Sequence, residues 1–334
     1  MTGPAFARRC LVVGMLTAVA PGRAAPADDQ AATFVALRGV DQRMAGIAYR
    51  LTTANALLCR DRAPVPGWAL HALGQYPVAS RAQARASFGF EAPVAVEAVV
   101  PGAPAEQAGV AANDSLVAVA GVALSAAAPG ADAVSTARDA AAALVARQPA
   151  AAPLVVELLR DGRRRRVTIA ASPGCASGFE VVLGPGMDAS ADGHLVQLSV
   201  GFFERYRDDQ VAVVVAHELA HDILRHRARL DAAGVKRGLV AEVGRNGRLY
   251  RRTETEADLL GMYLLRNAGW PPQTVVDFWR THGGDVDGGL FRSRTHPSSK
   301  ARAQAIADEI ARIPPAAPMP YLPPLLATRD DPLQ

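Results

Sequence analysis

Two histidines and a glutamate lie close together directly after an apolar run at 211–216, where residues 217–221 read His-Glu-Leu-Ala-His. Residues 210–226 carry an apolar stripe at helical spacing and predict one continuous helix. Histidines four positions apart project from one helix face, so a single metal ion can contact both imidazoles. Glu218 lies between them, where it can accept a proton from water at a metal. The alternative, a helix with two incidental histidines, rarely produces this pattern.

A catalytic zinc ion needs three protein ligands and an open position. Residues 251–265 predict a second helix, which carries Glu254, Glu256 and Asp258. Glu254 and Asp258 are four positions apart and share a face, whereas Glu256 points elsewhere. We therefore expect Glu254 to be the third ligand and Asp258 to accept the free N–H of a ligand histidine. The alternative for Glu254 is a solvated acid at the start of a helix.

The expected ligands of one Zn²⁺ per chain are His217, His221 and Glu254. This pattern, with Asp258 behind it, resembles the gluzincin metallopeptidases of the family that contains HtpX, the CAAX prenyl protease and periplasmic BepA. The resemblance runs from about residue 181 to about residue 310. It implies a zinc metalloendopeptidase that hydrolyses peptide bonds in unfolded or extended protein segments, in protein quality control of the cell envelope.

The same resemblance implies two further site residues, His296 in a Thr-His-Pro turn and Arg302 six positions later. In the family, the histidine and the arginine lie near the metal and help to bind the substrate or the developing oxyanion. We therefore expect Glu218, His296 and Arg302 to be the catalytic residues. Taken alone, the Thr-His-Pro turn could merely begin the last predicted helix, at 298–312.

A short apolar strand is predicted at 194–200, just before the metal helix. In the family that the chain resembles, an edge strand at this place pairs with the substrate backbone and holds an extended peptide without reading its sequence. Of the other histidines, His71, His194 and His282 are expected to face solvent. His226 follows His221 by five positions and is expected to point away from the ligand face.

From about residue 86 the sequence pattern changes, and the middle of the chain carries short runs that are typical of β-strands. Leu154–Leu159 and Val167–Ile169 are strand-like, and Asp161-Gly162 between them is a hairpin turn signal. An alanine-rich helix is predicted at 137–146. These patterns predict a β-rich unit with one helix.

This unit resembles a PDZ domain of the type found in bacterial proteases. The resemblance rests on Val-Val-Pro-Gly-Ala-Pro-Ala at 99–105 and Ala-Gly-Val at 108–110. Ser-Phe-Gly-Phe at 87–90 resembles the loop that receives a peptide carboxylate. The resemblance implies that this unit binds C-terminal or exposed apolar peptide segments, which add to a sheet edge.

The first 27 residues are typical of a signal peptide. Arg8 and Arg9 precede an apolar run of about 11 residues, too short to span a bilayer, and an Ala-x-Ala cleavage signal ends at Ala27. We expect export to a periplasm or secretion; the alternative is a membrane anchor. Only Cys59 and Cys175 would remain after cleavage. In an oxidising compartment they are expected to form a disulfide, and the alternative is two unrelated buried thiols.

Composition and charge narrow the class of function. Hydrophobic residues make up 50% of the 334 residues and charged residues 20%, so the chain can form a packed core. Three arginines and no acid lie in residues 1–27, and they account for most of the formal charge of +4. The nearly neutral remainder argues against nucleic-acid binding. No stretch after residue 27 is long and apolar enough to span a membrane.

Together these patterns predict an α+β fold, in which a mostly helical zincin-type metallopeptidase core with a small edge-strand sheet carries a β-rich PDZ-like domain. The expected divisions are a signal peptide at 1–27, a helical segment at 28–85 that belongs to the catalytic unit, the PDZ-like domain at 86–171, the metallopeptidase core at 172–313 and a Pro-rich tail at 314–334. Seven prolines in that tail predict an extended or disordered segment. The competing interpretation is a periplasmic PDZ-type adaptor or holdase whose metallopeptidase unit is latent.

Overall fold

The computed structural model describes residues 27–125, 130, 132–235, 244–286 and 297–333. Its helices are α1 (Ala27–Ala54), α2 (Arg81–Phe88), α3 (Pro104–Gln107), α4 (Thr136–Ala146), α5 (Gly201–Arg205), α6 (Asp208–Ile223), α7 (His226–Ala232), α8 (Gly244–Asn267), α9 (Gln273–Val286) and α10 (Ser299–Arg312). Its strands are β1 (Arg62–Val65), β2 (Trp68–Ala72), β3 (Val94–Val99), β4 (Ser115–Val119), β5 (Val122–Ala123), β6 (Leu154–Arg160), β7 (Arg163–Ile169), β8 (Ser172–Cys175), β9 (Gly178–Val182), β10 (Ala189–Ala191) and β11 (Leu195–Ser199). The mixed content agrees with the predicted α+β class.

The β-rich sheet has the strand order β2-β3-β4-β6-β7, and β5 pairs with β4. All of these neighbours run antiparallel. The predicted hairpin forms, because Asp161 and Gly162 both adopt the left-handed conformation that a tight two-residue turn requires. The sheet begins with β2 at Trp68, so the segment at 28–85, predicted to be helical, also contributes a strand to the β-rich unit. The sequence pattern did not predict β2, because this short strand is stabilised by pairing with β3, which lies beyond α2 in the chain.

The Ser-Phe-Gly-Phe segment lies where α2 ends, and its two phenylalanines point into the core. Phe88 and Phe90 are buried beside Phe34 of α1. Core packing therefore explains why both positions are aromatic, and binding of a peptide carboxylate is not needed to explain them. His71 lies in the same cluster and is buried, with its Nδ1 2.9 Å from the Tyr76 hydroxyl, so the expectation that it faces solvent is wrong.

Helix α1 contacts both the β-rich unit and the helical unit. Its apolar side chains pack in the helical unit, and its arginines donate hydrogen bonds to both units. Met44, Ile47 and Leu51 are buried in the core of the helical unit. Arg38 donates to the side-chain oxygen of Asn113 in the β-rich unit over 2.5 Å. Arg43 donates on the other side, over 2.7 Å, to the backbone oxygen of Phe203.

A covalent bridge closes the base of the β-rich unit. β1 and β8 pair antiparallel, with Arg62 opposite Cys175, so the two chain segments that flank the sheet lie side by side. Cys59 and Cys175 form a disulfide with a Cα–Cα distance of 5.4 Å. The predicted pairing is therefore confirmed.

The helical unit is built around α6, which is buried on nearly all of its surface. Helix α8 packs along α6, and a three-stranded sheet with the order β10-β11-β9 covers another side. The described helices include none that combines the length and the hydrophobicity needed to cross a bilayer.

The Pro-rich tail is held against this unit over residues 314–333. Tyr321 stacks on Tyr263 with 5.3 Å between ring centroids. Arg329 donates to the backbone oxygen of Leu58, and Leu333 is buried beside Leu249. Of the two predicted alternatives, an extended or a disordered segment, disorder does not describe these residues, because aromatic and leucine side chains between the prolines pack on the helical unit.

Candidate metal centre

The first helix of the site, α6, ends earlier than the sequence predicted. Its last backbone bond runs from the N–H of Leu224 to the oxygen of Ala220, over 3.0 Å. Arg225 then adopts a left-handed conformation with φ of 53°, and α7 begins at His226. A residue in that conformation cannot continue a right-handed helix. The expected single helix over 210–226 is therefore two helices at an angle.

Three side chains from α6 and α8 converge at the predicted site. The Nε2 atoms of His217 and His221 are 3.1 Å apart. Oε2 of Glu254 is 3.3 Å from Nε2 of His217, and Oε1 is 3.6 Å from Nε2 of His221. One ligand atom from each of the three residues lies within 4.8 Å of the other two. Two imidazole nitrogens and a carboxylate oxygen suit a catalytic zinc ion, so these residues fit the metal.

A glycine lets the two helices approach closely enough to bring these groups together. Gly261 lies two turns after Glu254 on α8, and a Cβ atom at this position would be 3.2 Å from the backbone nitrogen of His217. Any larger residue would push α8 away from α6, because backbone atoms leave no room for a side chain to move aside. Gly261 therefore sets the distance across which Glu254 reaches the histidines.

Glu218 lies between the two histidines in the chain, on α6. Burial raises the pKa of this carboxyl group to about 7. A carboxyl group with a pKa near the working pH is suited to accept a proton and to return it. The local environment of Glu218 is therefore compatible with an acid–base role.

His217 is supported from behind by a buried ion pair. Its Nδ1 lies 3.1 Å from Oδ1 of Asp258, as expected for a carboxylate that orients a ligand histidine. Arg302 donates to both oxygens of Asp258, over 2.7 and 2.5 Å. Its guanidinium lies 3.3 Å from the ring centroid of Trp279. Burial lowers the pKa of His217, but hydrogen bonds to Asp258 and Glu254 outweigh that effect and raise it to about 10.

The two residues expected from the family to act on the oxyanion have different outcomes. His296 lies outside the described residues. Arg302 is buried on α10, and its guanidinium contacts Asp258 on the side of His217 that faces away from Glu254. The contact with Asp258 assigns Arg302 to the support of His217.

His221 is supported by a residue that the sequence analysis placed elsewhere. Nδ1 of His226 is 2.8 Å from Nδ1 of His221, and Nε2 of His226 is 3.2 Å from Oε2 of Glu256. The expectation that His226 points away from the ligand face is wrong. Five positions along a continuous helix would turn His226 away, but the left-handed residue Arg225 turns the chain back toward His221.

The strand before α6 forms as predicted, but not at the edge of its sheet. β11 lies between β10 and β9, so neither of its sides is open to a substrate strand. The edge next to the site belongs to β10, which pairs with β11 alone among the described strands. A cavity of about 190 Å³ lies at the end of this strand, and residues from it, from α6 and from α8 line the cavity: Ala191, Gly193, His221, Tyr250 and Glu254.

Sequence reasoning missed three members of the site, namely His226, Glu256 and Trp279. Glu256 was excluded as a ligand because it faces away from Glu254, and the structure places it against Arg229 and Arg252 instead. The spacing of His226 after His221 was visible, but periodicity on one helix could not reveal a turn. No pattern in the sequence connects Trp279 to Arg302.

Comparisons with known proteins bear on this region. Residues 234–310 match Peptidase family M48. The match includes Glu254, Asp258 and Arg302, and the motif at 217–221 lies just before it.

Two curated relatives match a part of the chain. A stretch of 122 residues is 30% identical to the mitochondrial metalloendopeptidase OMA1 of Schizosaccharomyces pombe and covers 30% of this chain and 36% of that protein. A stretch of 131 residues is 30% identical to the mitochondrial metalloendopeptidase OMA1 of Arabidopsis thaliana and covers 32% of this chain and 26% of that protein. The chain thus spans between a quarter and about a third of the length of these relatives. The matched family is a peptidase family and both relatives are metalloendopeptidases, which agrees with the donor set at the site.

Proposed function

We propose that this chain is a zinc-dependent metalloendopeptidase that hydrolyses peptide bonds in unfolded or extended protein segments. The observation that carries the proposal is the convergence of His217, His221 and Glu254 from two packed helices, with one ligand atom of each within 4.8 Å of the others. The arrangement matches the donor set of catalytic zinc sites, which use three protein ligands and leave a position for water or substrate.

When bound, zinc would lower the pKa of water at the site and polarise the scissile carbonyl group. Glu218 accepts the proton from the attacking water and delivers it to the leaving amine. Asp258 holds the imidazole of His217 through Nδ1, and Arg302 holds Asp258 in turn. The resemblance to the gluzincin family supports a role for His296 in stabilising the oxyanion.

Substrate binding is proposed to use the open edge of β10. Main-chain pairing along an edge strand holds an extended peptide without reading its side chains, which suits unfolded segments of varied sequence. Ala191 and Gly193 line the same cavity as His221 and Glu254, so this edge lies next to the proposed metal site. The proposal replaces β11 with β10 as the substrate-pairing strand.

The β-rich unit is proposed to bind peptides in the manner of a PDZ domain, with C-terminal or exposed apolar segments as ligands. The Pro-Gly-Ala-Pro-Ala and Ala-Gly-Val blocks support this assignment. Export to a periplasm or secretion, with a role in envelope protein quality control, is likewise proposed. The Cys59–Cys175 disulfide supports it, because such bonds persist mainly in oxidising compartments.

Digestion of unfolded casein tests the proposed activity. The purified chain should cleave casein, lose this activity in a chelator and regain it with zinc. Glu218→Gln should keep bound zinc, because this residue is not a ligand, yet lose activity by several orders of magnitude. Glu254→Ala should lose the metal itself.

A zinc-loaded wild-type chain that binds casein without cutting it would contradict the peptidase and favour a holdase with a latent metallopeptidase unit. Cleavage by Glu218→Gln at the wild-type rate would show that Glu218 is not the general base.

A further inference from the structure

The imidazole of His221 has a well-defined partner on the side that faces away from the converging ligands. Its Nε2 points toward His217 and Glu254, at 3.1 and 3.6 Å. Its Nδ1 lies 2.8 Å from Nδ1 of His226, whose side chain is almost fully buried. A contact this short between two ring nitrogens requires one of them to carry a proton and the other to accept it.

The position of each proton follows from the metal site. A histidine that binds a metal through Nε2 carries its own proton on Nδ1. The Nδ1–H of His221 therefore donates to Nδ1 of His226, which must be unprotonated there. The proton of His226 then sits on Nε2 and donates to Oε2 of Glu256, 3.2 Å away. The two hydrogen bonds are mutually consistent in this direction and in no other that leaves Nε2 of His221 free for zinc.

Glu256 is itself held in place from two sides. Arg229 donates to Oε2 over 2.8 Å, and Arg252 donates to Oε1 over 2.7 Å. Arg229 comes from α7 and is buried, whereas Arg252 comes from the preceding turn of α8. The carboxylate is therefore anchored to the two elements that flank the site, and it cannot turn away from His226 without breaking both ion pairs.

We propose that His226 and Glu256 form a positioning relay that fixes the tautomer and the ring orientation of His221 for zinc binding. The proposal rests on the proposed zinc site and deepens it. The relay does for His221 what Asp258 and Arg302 do for His217, with an imidazole placed between the ligand and the carboxylate. Outer partners of metal-binding histidines typically contribute about 10–100-fold to metal affinity.

The test compares zinc affinities of full-length variants, measured by competition with a chelator. His226→Phe removes both ring nitrogens at similar size and should weaken zinc binding about 10–100-fold. His226→Asn keeps an acceptor that can face Nδ1 of His221, and it should recover part of that loss. His282→Phe is the matched control, because His282 is a partly buried histidine that hydrogen-bonds Gln210 rather than a metal ligand, and its zinc affinity should be unchanged.

A second variant and a second readout guard against misfolding. Glu256→Gln keeps the shape of the side chain but offers only one oxygen to Arg229, Arg252 and His226, so it should also weaken zinc binding. In the cobalt-substituted protein, the visible absorption bands should shift in His226→Phe and Glu256→Gln and stay in place in His282→Phe. These bands report ligand geometry, which a merely structural change elsewhere would leave alone.

The outcomes separate the two proposals. If the wild type binds zinc and cleaves casein while His226→Phe and Glu256→Gln bind zinc as tightly as the wild type, the relay is wrong and the peptidase stands. If the wild type binds no zinc, both proposals fail together.

Discussion

The outer carboxylates of the metal centre, Glu256 and Asp258, differ in their protonation at neutral pH from the buried acids at the junction between α1 and the β-rich sheet. In the metal centre each outer carboxylate contacts arginine. Burial would raise the pKa of Glu256, but hydrogen bonds from His226, Arg229 and Arg252 outweigh it and lower the pKa to about 2. The pKa of Asp258 is also lowered, because Arg302 and His217 more than offset its burial. Both groups are therefore ionised at neutral pH.

At the junction, Asp41 of α1 faces Glu97 of β3. Burial, followed by the charge of Asp41, raises the pKa of Glu97 to about 8, against a smaller opposing effect of Arg38. The pKa of Asp41 is raised to about 6, again chiefly by burial. His71 lies close, with its Nδ1 3.6 Å from Oε1 of Glu97. This pair keeps a proton at neutral pH, whereas Glu256 and Asp258 do not.

The difference shows how each region uses buried charge. A carboxylate that must accept a hydrogen bond from a metal ligand, directly or through His226, has to be ionised and fixed, and a buried arginine provides both conditions. The junction needs only a shared proton to keep two acids together, so its packing becomes dependent on pH. Three predictions test the stability of these regions, beginning with the disulfide at the base of the β-rich unit.

The disulfide should have the largest effect, because it closes the base of the β-rich unit and both of its cysteines are buried in the core of the helical unit. Replacing Cys59 and Cys175 with serine releases a loop with a sequence separation of 116 residues. Chain-entropy models assign about 4 to 5 kcal/mol to a closed loop of this length. We expect urea unfolding to show a loss of that order, with both regions less stable. Titration of the denatured, unreduced mature protein, which lacks Cys10, should find no free thiol, and two free thiols would contradict the bridge.

Removing the arginine from the buried pair should come next. Arg302→Met leaves Asp258 buried without its main counter-charge, and breaking such a pair typically costs about 3–5 kcal/mol. The free energy of unfolding of the zinc-free protein measures the loss. Arg312→Met is the control on the same helix, since Arg312 is exposed and pairs with Glu309 at the surface, where about 0–1 kcal/mol is expected. Equal effects of the two substitutions would show that the buried pair has no special role in stability.

The junction should give a smaller effect that depends on pH. Because the pKa of Glu97 is raised in the folded state, its contribution to stability is fully present below about 4.5 and is lost as pH rises through about 8. Glu97→Gln cannot ionise, so its stability should not fall over this range, and it should become progressively more stable relative to the wild type as pH rises from 5 to 9.

Urea unfolding over this pH range measures the effect, and Glu157→Gln provides the control. Glu157 lies on β6 of the same sheet but is partly exposed and pairs with Arg164 at the surface. Its substitution should leave the pH profile of the wild type unchanged. If Glu97→Gln follows the wild-type profile as well, the junction does not hold a shared proton.

The sequence by itself determined features that depend on local spacing. The interval of four between His217 and His221, and again between Glu254 and Asp258, placed each pair on one helix face, and the structure brings the three expected ligand atoms within 4.8 Å. The Asp161-Gly162 turn and the two strands beside it were equally readable, because turn chemistry and alternation act over a few residues. The disulfide prediction followed from counting the cysteines that would remain after cleavage of the expected signal peptide.

Tertiary structure alone decided features that depend on how distant segments meet. β11 was predicted as a strand, but only its pairing with both β9 and β10 shows that it is not an edge. His226 joined the site because one left-handed residue, Arg225, redirected the chain after α6. Asp41 and Glu97 met because α1 packs on β3. Periodicity describes which face of one element a residue occupies, whereas burial and charge pairing depend on which other element covers that face, and no local pattern carries that information.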